Sequence, residues 1–200
     1  MSEKRGFKQN FIRSFIIGAV ISFVAYMIIT RVNWGLLGLE LGGGPKPDAA
    51  VEEAARAAAV TETIAIGGKT WMKRNLNVWT RNSWCYNNDN NPDNCAKYGR
   101  EYTWLAAKRA CAGLGDGWRL PKTADWNALG GEDATLVAGI TDKDSSDETR
   151  YNIDKEWWTA TGSQGDAYFV RVGINHKHEK YVNTFRVEIT RKYCVRCVKD

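Results

Sequence analysis

Five cysteines, Cys85, Cys95, Cys111, Cys194 and Cys197, carry the widest range of chemistry in this chain. Cysteines can staple a fold, hold a metal as thiolates, or attack a substrate when a low pKa keeps them ionised. Five of them admit many pairings, and spacing alone selects none. Cys194-Val195-Arg196-Cys197 has the C-x-x-C spacing of redox and zinc pairs. No second C-x-x-C accompanies it, and on a strand positions i and i+3 point to opposite faces, which speaks against a redox or metal pair. Between Cys85 and Cys95 the chain runs Tyr-Asn-Asn-Asp-Asn-Asn-Pro-Asp-Asn. Asp89, Asn91 and Asp93 match the opening of a D-x-[DN]-x-[DN]-G calcium loop. Asn94 stands where Gly is needed and Arg100 where Glu is needed, which excludes an EF-hand. A looser Ca2+ site on Asp89, Asn91 and Asp93 stays open beside a bland reading. In that reading the segment is a stapled turn, because Asn and Asp bond their own backbone and tolerate left-handed conformations. His176 and His178 are the only histidines; together they could hold a metal or simply sit in a solvated hairpin turn. Neither belongs to a Ser/His/Asp arrangement, and no catalytic residue is assigned. Trp157 and Trp158 are neighbours on an expected strand, so one faces each side. Core packing suits both, while one could present a surface for stacking on a sugar or a partner.

The elements that must position these residues begin with an apolar run. Ser14 to Thr30 is uncharged, and as a helix it reaches ~25 Å against a ~30 Å hydrocarbon core. Lys4, Arg5, Lys8 and Arg13 precede it, and Trp34 sits where an interfacial aromatic belongs. The reading is a basic tail over 1–13 and a single transmembrane helix with its interface over 14–39. The tail is cytoplasmic and the rest extracytoplasmic, in a bacterial inner membrane. Arg31-Val32-Asn33-Trp34 fits a small-x-small cleavage site badly. A Gly/Pro joint and an Ala-rich helical stalk follow over 40–61, with Asp48 as N-cap. Of the net charge of +5, the first 13 residues hold +3, and no basic run with interleaved aromatics appears elsewhere. Nucleic acid is therefore not an expected partner.

From residue 62 onward the pattern is α+β. Thr63–Ile66 and Lys69–Met72 alternate around Gly67-Gly68, which predicts a hairpin. A helix is expected after Thr103, and a second from Thr123 until Gly130-Gly131 stop it. Short strands follow over 157–161, 167–173, 181–190 and 193–199.

The segments GGKTWMKRNLNV, NSWCYNN…NCAKYGREYTWLAAKRAC, GWRLPKTADWNAL, WWTAT and VRCVKD resemble the FISUMP family, the Fibrobacter succinogenes major paralogous domain. The resemblance covers 62–200 in order. It implies a C-type-lectin-like fold, two helices plus short antiparallel strands, akin to that of the sulfatase-modifying enzymes. Arg119-Leu120-Pro121 followed by Trp126 echoes their RLP-x-x-x-x-W signature. The family pattern also implies the bridges Cys85–Cys95 and Cys111–Cys197, which leaves Cys194 over. It carries no established activity. The sulfatase-modifying chemistry does not transfer, since it resembles one needing a second reactive Cys, and the EPN and WND calcium signatures are absent.

The expectation that results is a membrane-anchored, extracytoplasmic, non-catalytic binding or scaffolding module. As an accessory subunit it would dock on a larger bacterial membrane complex, with membrane lipid and integral-membrane proteins as partners. A carbohydrate or cell-wall binding module is the alternative, with a glycan as ligand. An oxidative enzyme of the sulfatase-modifying type is a further one.

Overall fold

In the computed structural model, which describes residues 43–88, 91–140, 153–163 and 165–200, the first hairpin forms where the glycines predict it. Strands β1 (Thr63–Ile66) and β2 (Lys69–Met72) pair antiparallel around Gly67 and Gly68, at φ +62° and +72°. A two-residue turn with positive φ at both positions matches the strand twist, and glycine adopts it without strain. A C-terminal strand, β9 (Val198–Lys199), completes a three-stranded sheet by pairing with β2.

The larger sheet has six strands in the order β3-β4-β8-β5-β6-β7. These are β3 (Ser83–Cys85), β4 (Arg100–Tyr102), β8 (Tyr193–Cys194), β5 (Ile153–Gly162), β6 (Asp166–Ile174) and β7 (Lys180–Glu188). All pairs are antiparallel except β5 with β8, which are parallel. Among the described residues the two-residue strand β8 is thus the only join between the short strands β3–β4 and the long meander β5–β6–β7. Cys194 is opposite Glu101 on one side and Trp157 on the other.

Among the described residues four α-helices flank the sheets: α1 (Ala49–Thr61), α2 (Pro92–Tyr98), α3 (Trp104–Ala112) and α4 (Thr123–Ala138). Two apolar cores result, because neighbouring strand residues face opposite ways. Trp158, Met72, Tyr102, Trp104 and Trp118 belong to one core. Trp157, Trp71, Trp126, Val170 and Val172 belong to the other. Trp157 and Trp158 are 1% and 0% exposed, so neither offers the surface for stacking that the sequence left open.

The bridges are Cys85–Cys95 and Cys111–Cys197, with Cα atoms 4.6 and 5.6 Å apart. The first fastens α2 to β3; the second fastens α3 to the chain entering β9. Cys194 is a free, buried thiol.

Two expectations about architecture are corrected. Against a fold of two helices with short strands on a membrane helix, the described residues form four α-helices and a sheet-rich body with strands up to ten residues long. It is α+β but not a two-helix lectin-like domain. The expected transmembrane stretch 14–39 lies outside the described residues, and among the described residues no helix is long and apolar enough to cross a membrane. A span needs ~20 apolar residues, whereas α4 has 16 and is broken at Gly130. The single-pass inner-membrane placement is accordingly corrected.

Several elements differ in detail for identifiable reasons. The helix α4 does not end at Gly130-Gly131. Gly130 turns the chain at φ +65°, and a second helical stretch runs on to Gly139 in the left-handed conformation. Its Ala134, Val137 and Ala138 are fully buried against the tryptophan core, and that packing carries the helix past the glycines. Inside the Asn/Asp loop, α2 forms because Pro92 opens it and Asn91 caps it, accepting a hydrogen bond from Asp93 N at 3.0 Å. The Ala-rich helix α1 packs on the domain. Ala59 is buried, Glu52 accepts from Trp79 N at 2.9 Å, and Arg56 donates to the Gly113 carbonyl at 3.0 Å.

Candidate functional site

The stapled loop, the residues after β2 and the short strand β8 together enclose an open groove of about 720 Å³. Its shape follows from topology: a two-residue β8 leaves most of β5 without a ladder partner on that side, and the sheet stays open there.

One wall is α2 and the residues before it. The Cys85–Cys95 bridge holds α2 against β3, which brings the Tyr86 and Tyr98 rings to 5.3 Å. Lys97 lies over the Tyr98 ring at 4.8 Å, and Tyr98 is 41% exposed. Gly99 follows at φ +81°, and a Cβ there would fall 2.6 Å from Asn75 Cβ. Glycine is therefore what lets the end of α2 approach the β2–β3 connection so closely.

Asn75 is the knot of the site. Its Nδ2 donates to the Tyr98 carbonyl at 2.9 Å, and its Oδ1 accepts from Trp157 Nε1 at 2.8 Å and from Arg196 Nε at 3.1 Å. Arg196, 6% exposed, also donates to the carbonyls of Lys73, Val137 and Ala138. It thereby fastens three segments that are distant in sequence. Its guanidinium stands 5.6 Å from the Trp157 ring. Burial lowers its pKa to about 10, so it stays cationic at neutral pH, satisfied largely by carbonyl dipoles.

The opposite wall is β5 and β8. Lys155 donates to the Gly139 carbonyl at 3.2 Å, and Glu156 accepts from Arg171 at 3.0 and 2.5 Å. Tyr193 stacks on Phe169 at 4.3 Å. Lys192 lies 3.8 Å over Trp84. Burial raises the carboxyl of Glu101, with Lys192 opposing the shift, and burial also raises the phenols of Tyr86 and Tyr193.

Charge in the groove is lopsided. Lys73, Arg74, Lys97, Lys155, Lys192 and Arg196 face it against Glu101 and Glu156, leaving an excess of four positive charges. The Cys194 thiol at its floor is pushed up to about 12, by burial first and by the charge of Glu101 second. A thiol held protonated is a poor nucleophile and a poor metal ligand.

The remaining sequence candidates lie elsewhere or are engaged. Asp89 lies outside the described residues; Asn91 spends its side-chain oxygen on the α2 cap, and Asp93 is exposed on that helix. Among the described residues no group of three His, Cys, Asp or Glu could share a metal ion. His176 and His178 are exposed in the β6–β7 turn, outside the groove lining. Of the sequence-derived candidates, the groove gathers Trp157 and Cys194. Asn75, Tyr86, Lys97, Tyr98 and Arg196 were not singled out by sequence. One signal was present for Arg196: a charged residue flanked by Val195 and Cys197 in an apolar C-terminal run, where only a paired or hydrogen-bonded charge survives burial.

The fold and site define a disulfide-stapled α+β domain with a basic, tyrosine-walled groove. No family model matches the chain, and comparison with curated proteins and with solved structures finds no match to either.

Proposed function

We propose that this domain is a non-catalytic binding module and that the groove is its ligand surface. The observation that carries the reading is the division of labour in the lining. Exposed groups (Lys73, Lys97, Tyr98) form the rim, while the floor groups Asn75, Arg196 and Trp157 are spent on one another and on backbone carbonyls. A preorganised floor with adaptable polar rims is the usual anatomy of a binding site. Nucleophilic chemistry at Cys194 would need a thiolate, which burial opposes. The oxidative-enzyme reading would need a second reactive cysteine, and Cys197 is spent in the bridge to Cys111. The resemblance to FISUMP modules agrees with a binding or scaffolding role. A protein partner and a glycan are the two ligand types that this reading admits.

The test presents the full chain to an array of glycans, peptides and polyanions beside the double variant Lys97→Glu/Tyr98→Ala. Ligands retained by the wild type and released by the variant are the expected result. An identical bound set for both proteins, or chemical conversion of a bound ligand, would overturn the reading.

A further inference from the structure

Resting on the groove as the ligand surface, we propose that its ligand is an acidic saccharide, a chain of pyranose rings carrying carboxylates. Three features of the lining point to that class. The first is the excess of four positive charges, which selects an anion. Lys73 and Lys97 are both exposed in the lining, where they can meet carboxylates.

The second is the kind of apolar surface. Among the described residues, Tyr86, Tyr98 and Tyr193 give the groove its ring surface above the buried Trp157, and the only aliphatic side chain is Ala138. Flat rings with polar edges suit the C–H faces and hydroxyls of a sugar ring. A peptide ligand would want pockets for Leu, Val or Ile side chains, and this lining supplies none.

The third is the presence of Glu101 and Glu156 among the cations. Two carboxylates accept hydrogen bonds from the several hydroxyls of each sugar ring, donors that a deoxyribose phosphate backbone lacks. Glu156 receives both Arg171 bonds on Oε1. A nucleic acid is therefore disfavoured although base stacking on tyrosine is chemically available.

The short bridge acquires a purpose under this assignment. Cys85–Cys95 holds Tyr86 beside Tyr98 at 5.3 Å, so the Asn/Asp loop serves as the scaffold for the aromatic wall.

The experiment is calorimetric titration of the full chain with an octamer of galacturonic acid. Parallel titrations use a neutral octamer of glucose, an eight-residue poly-glutamate and an eight-nucleotide oligo-dT. The expected result is binding of the galacturonate alone, weakened by added salt. Lys73→Glu and Tyr98→Ala, both rim substitutions, should each weaken it by about tenfold, the effect of 1.4 kcal/mol. Near-ultraviolet circular dichroism checks that each variant keeps its native tryptophan environment. Equal affinity for the neutral octamer would remove the carboxylate requirement. Binding of poly-glutamate or oligo-dT as tight as that of the galacturonate would remove the sugar. Wild-type affinity in both variants, or no galacturonate binding at all, would overturn the assignment. If galacturonate fails while other array ligands are lost from the Lys97→Glu/Tyr98→Ala variant, the saccharide is wrong and the groove stands. If array binding is indifferent to that variant, both readings fall.

Discussion

Removing the two bridges separately should separate them by energy. Cys111 and Cys197 are 86 residues apart, and Cys85 and Cys95 only 10. In the chain-entropy model, loops of these lengths cost the unfolded chain about 4.6 and about 2.7 kcal/mol at 25 °C. For a unit of this size the unfolding entropy is about 0.33 kcal/mol/K, so the losses translate into Tm decreases of about 14 and about 8 °C. Cysteine to alanine is the suitable exchange, because Cys111 and Cys197 are wholly buried and serine would bury an unsatisfied hydroxyl. Melting of Cys111→Ala/Cys197→Ala and Cys85→Ala/Cys95→Ala, oxidised and then with reductant, measures the difference. Under reductant the three proteins should converge, since the wild type then lacks both constraints. Two results would refute the reasoning: a short-loop variant that melts lower than the long-loop one, or a long-loop variant within about 3 °C of wild type, on the same entropy scale. A bridge through Cys194 instead of Cys197 would show as a large Tm loss in Cys194→Ala, where the structure predicts a small one.

Three further outcomes are expected. Asp125 accepts from Arg119 at 2.7 and 3.2 Å and from Lys122 N at 2.7 Å; burial alone would raise its pKa, but these donors bring it below its ordinary value. Its depressed folded pKa gives stability that is present above the unfolded value of about 3.9 and lost as pH falls below it. Urea titrations at pH 6 and pH 3 should therefore show the wild type losing more stability than Asp125→Asn, by no more than about 1 kcal/mol, the limit that the unfolded value sets at pH 3. The Cys194 thiol, raised to about 12, favours the folded state below the unfolded value of about 8.5, and that preference is lost as pH climbs from there through 12. Iodoacetamide at pH 8 should leave native Cys194 unlabelled and label it once urea unfolds the chain; rapid native labelling would contradict the burial. At Gly131 an added Cβ would meet the Lys180 carbonyl oxygen at 2.3 Å, so Gly131→Ala should cost about 1–3 kcal/mol in a denaturant titration, whereas an alanine at exposed Gly115, where φ is +76° and the added Cβ meets no atom within 4 Å, tests backbone strain alone.

Local signals in the chain were sufficient for the first hairpin, for α3 after Thr103 and for the start of α4, because Gly-Gly turns and strong helix formers act over a few residues. The strand meander was visible as alternation around 157–190, though with ends short by a few residues. The sequence also placed Trp157 and Trp158 on opposite faces, which period-2 geometry guarantees. It did not reveal that both faces are closed. On the Trp157 side that depends on α4 continuing beyond Gly130, which it does because Ala134, Val137 and Ala138 have a tryptophan core to pack against; on the Trp158 side Trp104, Ala107 and Cys111 of α3 close the core.

By itself, then, the amino-acid order determined the residue pairs and turns whose partners lie within a few positions, together with the cysteine inventory. Only the tertiary structure decided the groove. Asn75, Tyr98, Trp157 and Arg196 are separated by as many as 121 residues, yet hydrogen bonds join them into one floor. No periodicity announces such a meeting, since it follows from a two-residue strand joining two halves of a sheet and from Gly99 admitting Asn75 where any side chain would collide. Long-range closure is set by the packing of whole elements, and a buried arginine is tolerable only once that packing has brought carbonyls to it.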